Sequence, residues 1–473
     1  MRSASLLSEG QALAKQYSTV TQHEDSALKF LTYNRQLLDW SNWPGSVKAL
    51  LVTLPPAALI AHLLCTYAVN VPYMDQWGVA DVIAKAFDGT LSLSDLTFHQ
   101  NETRLVFPRI FFIVLAYLTN YDARYEMWAS FALACLTTYN VYRLGRHTLH
   151  GSPSAEIILL FLASVTIFSI AQEENWLWGV QLIVFVPAAC LSSICTLAYS
   201  SCSVMAKFIG GILLAIVSTF SYANGMLCWL VALPVLLVQT EADRQNRKCG
   251  VLLWLISGFV SIGLYFYNYH KPSHHPSFTA ALADPLSAIL YILAFLGAPV
   301  ITNNLDRQSF YLAVALGTCL TALFVVACSV AWRYRDDPQV RYQTVGWLAL
   351  GSYALGSDAI SMLGRLGFGV GMALSYRYST FSLPFIVALI YLVPITLHTL
   401  RRKQSSPLAP WLHYCPTVLG VLLLILHLIS INHWKTLAER DWRHRVQGKF
   451  FYTSWRFSRR QPCSKPAFLT LLH

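Results

Sequence analysis

Charge is scarce in this sequence. Only 12% of its 473 residues are Asp, Glu, Lys or Arg, against about 25% in a soluble domain. That shortage excludes a chain that faces water over most of its surface. Cysteine pairing is also missing. Eleven cysteines are present, none in a Cys-x-x-Cys spacing, and most lie inside apolar runs (Cys65, Cys135, Cys190, Cys195, Cys228, Cys319, Cys328). A metal or redox module of that type is excluded, and the thiols read as small buried side chains. The start lacks an apolar core ahead of a small-residue cleavage site and contains Glu9, Glu24 and Asp25. Residues 1–46 therefore read as a polar cytoplasmic tail, not a signal peptide, and the first apolar segment as an uncleaved anchor. Lys plus Arg exceed Asp plus Glu by 34 − 23 = 11, yet no compact basic-aromatic motif accompanies them. Nucleic acid is not the expected partner.

What is abundant is apolar sequence. Hydrophobic residues make up 55% of the chain. Runs close to the roughly 20 residues of a membrane helix recur at 47–69, 106–119, 125–143, 156–171, 180–200, 205–222, 226–239, 250–270, 286–302, 308–332, 342–361, 379–400 and 412–431. If all thirteen cross the membrane, the loop with Arg143, Arg146, His147 and His150 falls outside, against the positive-inside bias. Laying 106–119 and 286–302 at the outer interface repairs this. Both are short and end at polar turns. About eleven spans remain, and the inside loops collect Arg143/Arg146, Lys207, Arg244/Arg247/Lys248, Arg333/Arg335/Arg341 and Arg401/Arg402/Lys403. The predicted fold is an all-α polytopic bundle over 47–431, with a long outer loop at 70–105, interfacial helices on the outer face and a basic C-terminal tail, 432–473. The tail falls outside in this scheme.

The outer loops hold nearly all the polar clusters. Asp75, beside Trp77, has two readings: a partly dry general base, or the N-cap of a helix through Val79, Val82, Ile83, Ala86 and Phe87 that lies on the membrane surface. His99, Glu102, Arg104 and Arg109 form a second cluster, with Arg109 expected to pair with Glu102. His99 and Glu102 are two donors suited to a divalent metal, and two donors leave that metal open. Asn101-Glu102-Thr103 also fits a glycosylation sequon. Glu173 and Glu174, followed by Trp176 and Trp178, point different ways on a helix, one toward a site and the other to solvent, or form an ordinary polar helix end. Tyr222-Ala223-Asn224-Gly225 closes another span, with Asn224 as its polar group. Last, Gly364, Gly367, Gly369 and Gly371 frame Arg365 and precede Tyr376-Arg377-Tyr378. Glycines let backbone amides approach an anion. Arginines grip phosphate through paired hydrogen bonds, and tyrosines add hydroxyl donors.

This layout resembles the C-type superfamily of integral membrane glycosyltransferases, which use polyprenyl-phosphate-linked sugars. The stretch His99–Arg109 is similar to the segment that carries a His-Pro-Pro-Leu signature in the protein mannosyltransferases and lipid A aminoarabinose transferases. Here only Pro108 is present, and Asp75-Gln76-Trp77 stands where an acidic pair or Asp-x-Asp is often found. The resemblance implies transfer of a sugar from a polyprenyl-phosphate donor to an extracytoplasmic acceptor (glycan, lipid or protein). It implies a bacterial inner membrane and an active site on the outer face. Asp75 would be the base, with Arg365, Arg377 and Tyr378 as phosphate donors. No cofactor beyond the open metal is called for. The alternatives are a secondary transporter, for which Asp358 is the best mid-span charge, and a flippase or ligase of lipid-linked glycans.

Overall fold

The computed structural model describes residues 43–149, 153–240, 243–271, 276–277, 283–301, 306–403 and 414–458. Most of the expected N-terminal tail, residues 1–42, lies outside the described residues, as does 459–473. The chain divides at Val52/Thr53 into two units. The described part of the first, 43–52, holds the opening turns of α1 (Gly45–Tyr67). All that follows concerns the second unit.

The second unit is almost entirely helical. After α1 come α2 (Gln76–Phe87), α3 (Leu93–Thr97), a hairpin of β1 (His99–Gln100) and β2 (Thr103–Arg104), and α4 (Val106–Thr119). Then follow α5 (Arg124–Thr148), α6 (Pro153–Ile167), α7 (Glu173–Leu177), α8 (Leu182–Ala198), α9 (Val204–Thr219), α10 (Leu227–Val231) and α11 (Leu233–Gln239). The last are α12 (Arg244–Phe266), α13 (Pro285–Gly297), α14 (Arg307–Arg333), α15 (Pro338–Arg365), α16 (Ser379–Lys403) and α17 (Cys415–Ser458). Among the described residues, seven segments are long and apolar enough to cross a membrane: Gly45–Tyr67, Pro153–Leu177, Gly179–Ala198, Arg244–Phe266, Arg307–Arg333, Tyr376–Lys403 and Pro416–Lys449. The protein is thus a helical membrane bundle. The runs at 106–119 and 286–302 fold as the short helices α4 and α13.

Several of the few acids start helices. Asp243, Asp284, Asp306 and Asp337 accept hydrogen bonds from the backbone N–H of Asn246, Ser287, Ser309 and Gln339. Each cap contributes on the order of 1 kcal/mol. At α3, Ser92 and Asp95 form a reciprocal capping box.

Helices α13 and α14 pack backbone against backbone. A Cβ on Gly317 would stand 1.8 Å from the Leu293 carbonyl oxygen, and one on Gly297 would stand 2.0 Å from that of Ala313. Ala313 and Gly317 are four apart on α14, so small residues there let two backbones touch. The run at 286–302 therefore has a packing role that its apolar content alone does not reveal.

Two ends of the bundle are distinct. At one, Gln343 Nε2 donates to the Thr148 carbonyl (3.0 Å), Trp347 Nε1 to Thr148 Oγ1 (2.9 Å), and Arg402 and Lys403 pair with Asp337. At the other, Trp178 Nε1 donates to the Tyr73 carbonyl (2.9 Å), and Asn175 Nδ2 to the Arg377 carbonyl (3.1 Å). Helix α17 reaches this second end and continues through it. Its Trp434 ring packs edge-on against Tyr376, and the Arg445 guanidinium lies 4.9 Å from the Tyr73 ring centre. No helix break falls at 431/432, so the expected tail begins as a continuation of the last helix.

Candidate functional site

The hairpin β1–β2 turns through Asn101 and Glu102. Asn101 takes a left-handed conformation (φ 54°), which asparagine tolerates in two-residue hairpin turns. The turn puts Glu102 at the tip. There it meets Arg365, the last residue of α15. The guanidinium donates NH1 to Glu102 Oε1 (3.1 Å) and NH2 to Oε2 (2.9 Å). Its Nε donates to the Tyr378 hydroxyl at 3.0 Å. Planar two-point pairing of this kind is what Arg forms with a carboxylate or a phosphate. Glu102 and Arg365 side chains are 20% and 22% exposed, so the pair is half-sheltered yet open to a ligand.

The pair lines a cavity of about 340 Å³. Tyr222, Asn224, Tyr265, Tyr269 and Ser361 share it, with Phe266, Leu363 and Phe381 as apolar wall. Of the residues singled out in the sequence, Glu102, Asn224, Arg365 and Tyr378 come together here. The tyrosines 222, 265 and 269 were not singled out. The aromatic cluster at the end of the 250–270 run was the available signal for two of them.

His99 and Arg104 face each other across the base of the hairpin. The His99 Nε2 lies 3.0 Å from the Tyr265 carbonyl oxygen. Arg104 reaches the same ring, its Nε 3.3 Å from Nε2 and its NH2 3.5 Å from Nδ1; Arg104 also donates to the Tyr267 carbonyl. Burial pushes the His99 imidazole below the usual histidine range, against the pull of that carbonyl, and Arg104 and Arg109 add to the shift. Burial likewise pushes the Tyr269 phenol up, with Glu102 adding to it.

Arg109 does not pair with Glu102, contrary to the sequence expectation. It is fully buried and donates NH1 to the carbonyls of Leu96 (3.0 Å) and Phe98 (2.7 Å), with its guanidinium 3.7 Å from the centre of the Phe98 ring. It closes the C-terminal end of α3, where helix carbonyls carry partial negative charge. Glu102 goes to Arg365 because the hairpin aims it away from α3.

A second cluster lies on α7 and the segment before α16. Glu174 Oε1 is 4.0 Å from Arg377 Nε. Asn175 Nδ2 donates to Thr380 Oγ1 (2.7 Å), and Thr380 donates to Gln172 Oε1 (2.6 Å). Glu173 is buried, with Oε2 unpartnered. Arg365 and Arg377, grouped in the sequence, thus lie near different acids, Arg365 hydrogen-bonded to Glu102 and Arg377 4.0 Å from Glu174; the first lines the cavity and the second does not.

Asp75 is in neither cluster. It precedes α2 with its side chain exposed and makes no side-chain cap bond. The buried polar residue is its neighbour Gln76, whose amide donates to Glu126 Oε2 at the start of α5. The helix it precedes does bury the face through Val79, Val82 and Ile83.

The glycine loop is not an open nest of amides. The N–H groups of Gly369, Met372, Ser375 and Tyr378 are engaged in turns with Leu366, Gly369, Met372 and Ser375. Only Gly369, at φ 110°, needs to be glycine for its conformation. As for a metal, the described residues contain no group of three or more His, Cys, Asp or Glu able to hold one. His99 and Glu102 face different partners.

A larger apolar groove of about 710 Å³ runs beside the cavity. Phe111 and Val114 of α4, Leu133 of α5, Val186 of α8 and Val217 of α9 line it. Ser221 is among its lining residues, and the next residue, Tyr222, lines the cavity. Phe107, at the start of α4, donates its N–H to the Phe220 carbonyl at 3.4 Å. Comparison with family models, with curated proteins and with solved structures finds no match.

Proposed function

We propose that the protein is a membrane glycosyltransferase that moves a sugar from a polyprenyl-phosphate donor to an extracytoplasmic acceptor. The observation that carries this reading is an apolar groove and a cavity lined by neighbouring residues, Ser221 for the groove and Tyr222 for the cavity, which also bears Arg365, Glu102 and three further tyrosines. An amphipathic ligand with a long apolar chain and an anionic head fits such a pairing. The chain would occupy the groove and the phosphate would take the guanidinium of Arg365.

The chemistry follows from that placement. The donor phosphate displaces Glu102 from Arg365, since one fork serves one planar anion at a time. The freed carboxylate takes the proton of the acceptor hydroxyl as its oxygen bonds to the sugar carbon. The bond from that carbon to the phosphate oxygen breaks, and the polyprenyl phosphate leaves with the negative charge. Arg365 and the Tyr378 hydroxyl stabilise that charge as it develops. Asp75 is the second candidate for the base. Asn224, His99 and Arg104 would position the sugar and the hairpin, and Glu174–Arg377, Glu173 and Tyr376 would face the acceptor.

We propose eleven crossings for the bundle: the seven long apolar segments with α5, α9, the pair α10–α11, and α15. In support, α5 and α15 each run between the two ends, with Thr148 meeting Gln343 at one and Arg365 meeting Glu102 at the other. The basic residues Arg401, Arg402 and Lys403 support a cytoplasmic assignment of their end, and with it the cavity would open on the outer face of a plasma membrane.

The test is transfer in liposomes, with polyprenyl-phosphate sugars supplied as donors. Wild type is expected to release polyprenyl phosphate. Glu102→Gln and Arg365→Ala are expected to lose on the order of 100-fold or more, as general bases and fixed charge donors each supply. If Glu102→Gln is fully active and Asp75→Asn is inactive, the base is Asp75. If no donor is turned over and labelled lipid crosses the bilayer instead, the protein is a flippase.

A further inference from the structure

The hairpin that carries Glu102 is seated on the end of α12, and one residue there meets it twice. Tyr265, one residue before the end of α12, is 1% exposed. Its hydroxyl donates to the Glu102 carbonyl oxygen at 2.8 Å. Its own carbonyl oxygen lies 3.0 Å from His99 Nε2, and its ring stands edge-on to the His99 ring with centres 5.9 Å apart. His99 opens β1 and Glu102 is in the turn, so Tyr265 holds both the base and the tip of the hairpin. Arg104 adds its bond to the Tyr267 carbonyl, and the His99 ring is edge-on to Tyr269 as well. Carbonyls at the end of a helix lack a partner within it and carry partial negative charge, so basic side chains are suited to meet them. The Tyr265 hydroxyl thus takes the main chain of Glu102, while the carboxylate of the same residue goes to Arg365. Fixing that main chain fixes the point from which the carboxylate reaches Arg365. For an anion that needs the Arg365 fork, the carboxylate is a built-in competitor. The apparent affinity of such a site falls with the fraction of molecules in which the site is open.

We infer that Tyr265 is a positioning residue: by holding the Glu102 main chain it keeps the carboxylate against Arg365, and so sets how tightly the cavity takes a phosphate. This rests on the proposed use of Arg365 as the phosphate-binding group. When an anion enters, the hairpin stays docked on α12 and only the Glu102 side chain turns away from Arg365. The displaced carboxylate therefore remains at the cavity.

The test uses inorganic phosphate as the probe, on the full chain in detergent at constant ionic strength. Affinity is read from the rise of the thermal midpoint with phosphate concentration. Tyr265→Phe keeps the ring and removes only the hydroxyl. It is expected to bind phosphate about two- to tenfold more tightly than wild type, the range that one hydrogen bond sets. Glu102→Gln is expected to gain as well, and Tyr265→Phe to add nothing in the Glu102→Gln background. General loosening of the fold would not produce that dependence. 3-Fluorotyrosine at position 265, a more acidic phenol of nearly the same shape, is expected to weaken phosphate binding, and it serves if Tyr265→Phe does not fold. The proposal is overturned if Glu102→Gln gains while Tyr265→Phe matches wild type, or if the Tyr265→Phe gain persists in the Glu102→Gln background. If phosphate acts on none of these proteins, the use of Arg365 for phosphate fails, and Tyr265 is judged by the Glu102–Arg365 coupling in stability. A coupling that falls in Tyr265→Phe supports the positioning of Glu102, and an unchanged one overturns it.

Discussion

Arg365 holds Glu102 by two parallel hydrogen bonds across 263 positions of sequence. One partner is the tip of a two-residue hairpin and the other the last residue of a 28-residue helix. The pair ties the 70–105 segment to the bundle while leaving both groups reachable from the cavity.

A double-mutant cycle measures that tie. Glu102→Gln and Arg365→Gln are each expected to lower stability in detergent, and the double variant to lose less than the sum. Since both side chains keep about a fifth of their exposure, the coupling is expected at roughly 1–3 kcal/mol, between surface and buried pairs. Additive losses would mean that the two residues act separately.

The α13–α14 contact makes a steric prediction. Gly317→Leu would drive its Cβ to 1.8 Å from the Leu293 carbonyl oxygen, and overpacking of this kind costs about 1–3 kcal/mol or more. The thermal midpoint should fall and the yield of folded protein with it. Gly371→Ala meets nothing within 4 Å and serves as the control. Equal behaviour of the two variants would contradict the close approach.

Arg109 is expected to be structural. Arg109→Ala leaves the part-buried Leu96 and Phe98 carbonyls without their donor, at about 0.5–1.5 kcal/mol for each hydrogen bond lost. Proteolysis of detergent-solubilised protein should then cut first near residues 93–104. Resistance equal to wild type would remove Arg109 from the support of the hairpin.

His99 gives stability a pH dependence whose sign is fixed. Its folded-state pKa is depressed by burial, so between the ordinary value near 6.5 and the lower folded value the unfolded chain binds more protons. Stability therefore falls as pH falls through that window and is independent of His99 above it. Thermal unfolding from about pH 8 down to about pH 5 should show a loss that is shallower in His99→Gln. A slope unchanged in the variant would assign the loss to other groups.

The groove can be blocked without touching the cavity. Ala132→Trp places an indole among the lining of α5. Co-purified long-chain lipid, read by mass spectrometry, is expected to drop several-fold while the Glu102–Arg365 coupling persists. Undiminished lipid would detach the groove from ligand binding.

Much of the bundle was legible in the sequence because the bilayer imposes a simple rule. A helix that crosses hydrocarbon must be about 20 residues long and apolar, and runs such as 250–270 and 308–332 reappear as α12 and α14. The acids at Asp284 and Asp306 were equally local, since an N-cap is made within four residues. The hairpin tip at Glu102 and the Arg365 loop were recognisable as polar groups in a chain with little charge to spare. Their partners were not. The sequence offered Arg109, seven residues away, as the partner of Glu102, and gave no sign of Arg365; the direction in which β1–β2 leaves α3 decides it. Asp75 and Gln76 are adjacent, yet packing buries the amide and exposes the acid.

The sequence by itself determined a helical membrane protein and which short segments carry its polar side chains, because hydropathy and capping act over one helix length. Tertiary structure alone decided that Glu102 meets Arg365, that Arg377 meets Glu174, and that Asp358 is left without a partner. Those outcomes depend on where separate helices end relative to one another, a distance set by packing across the bundle and not by neighbours along the chain.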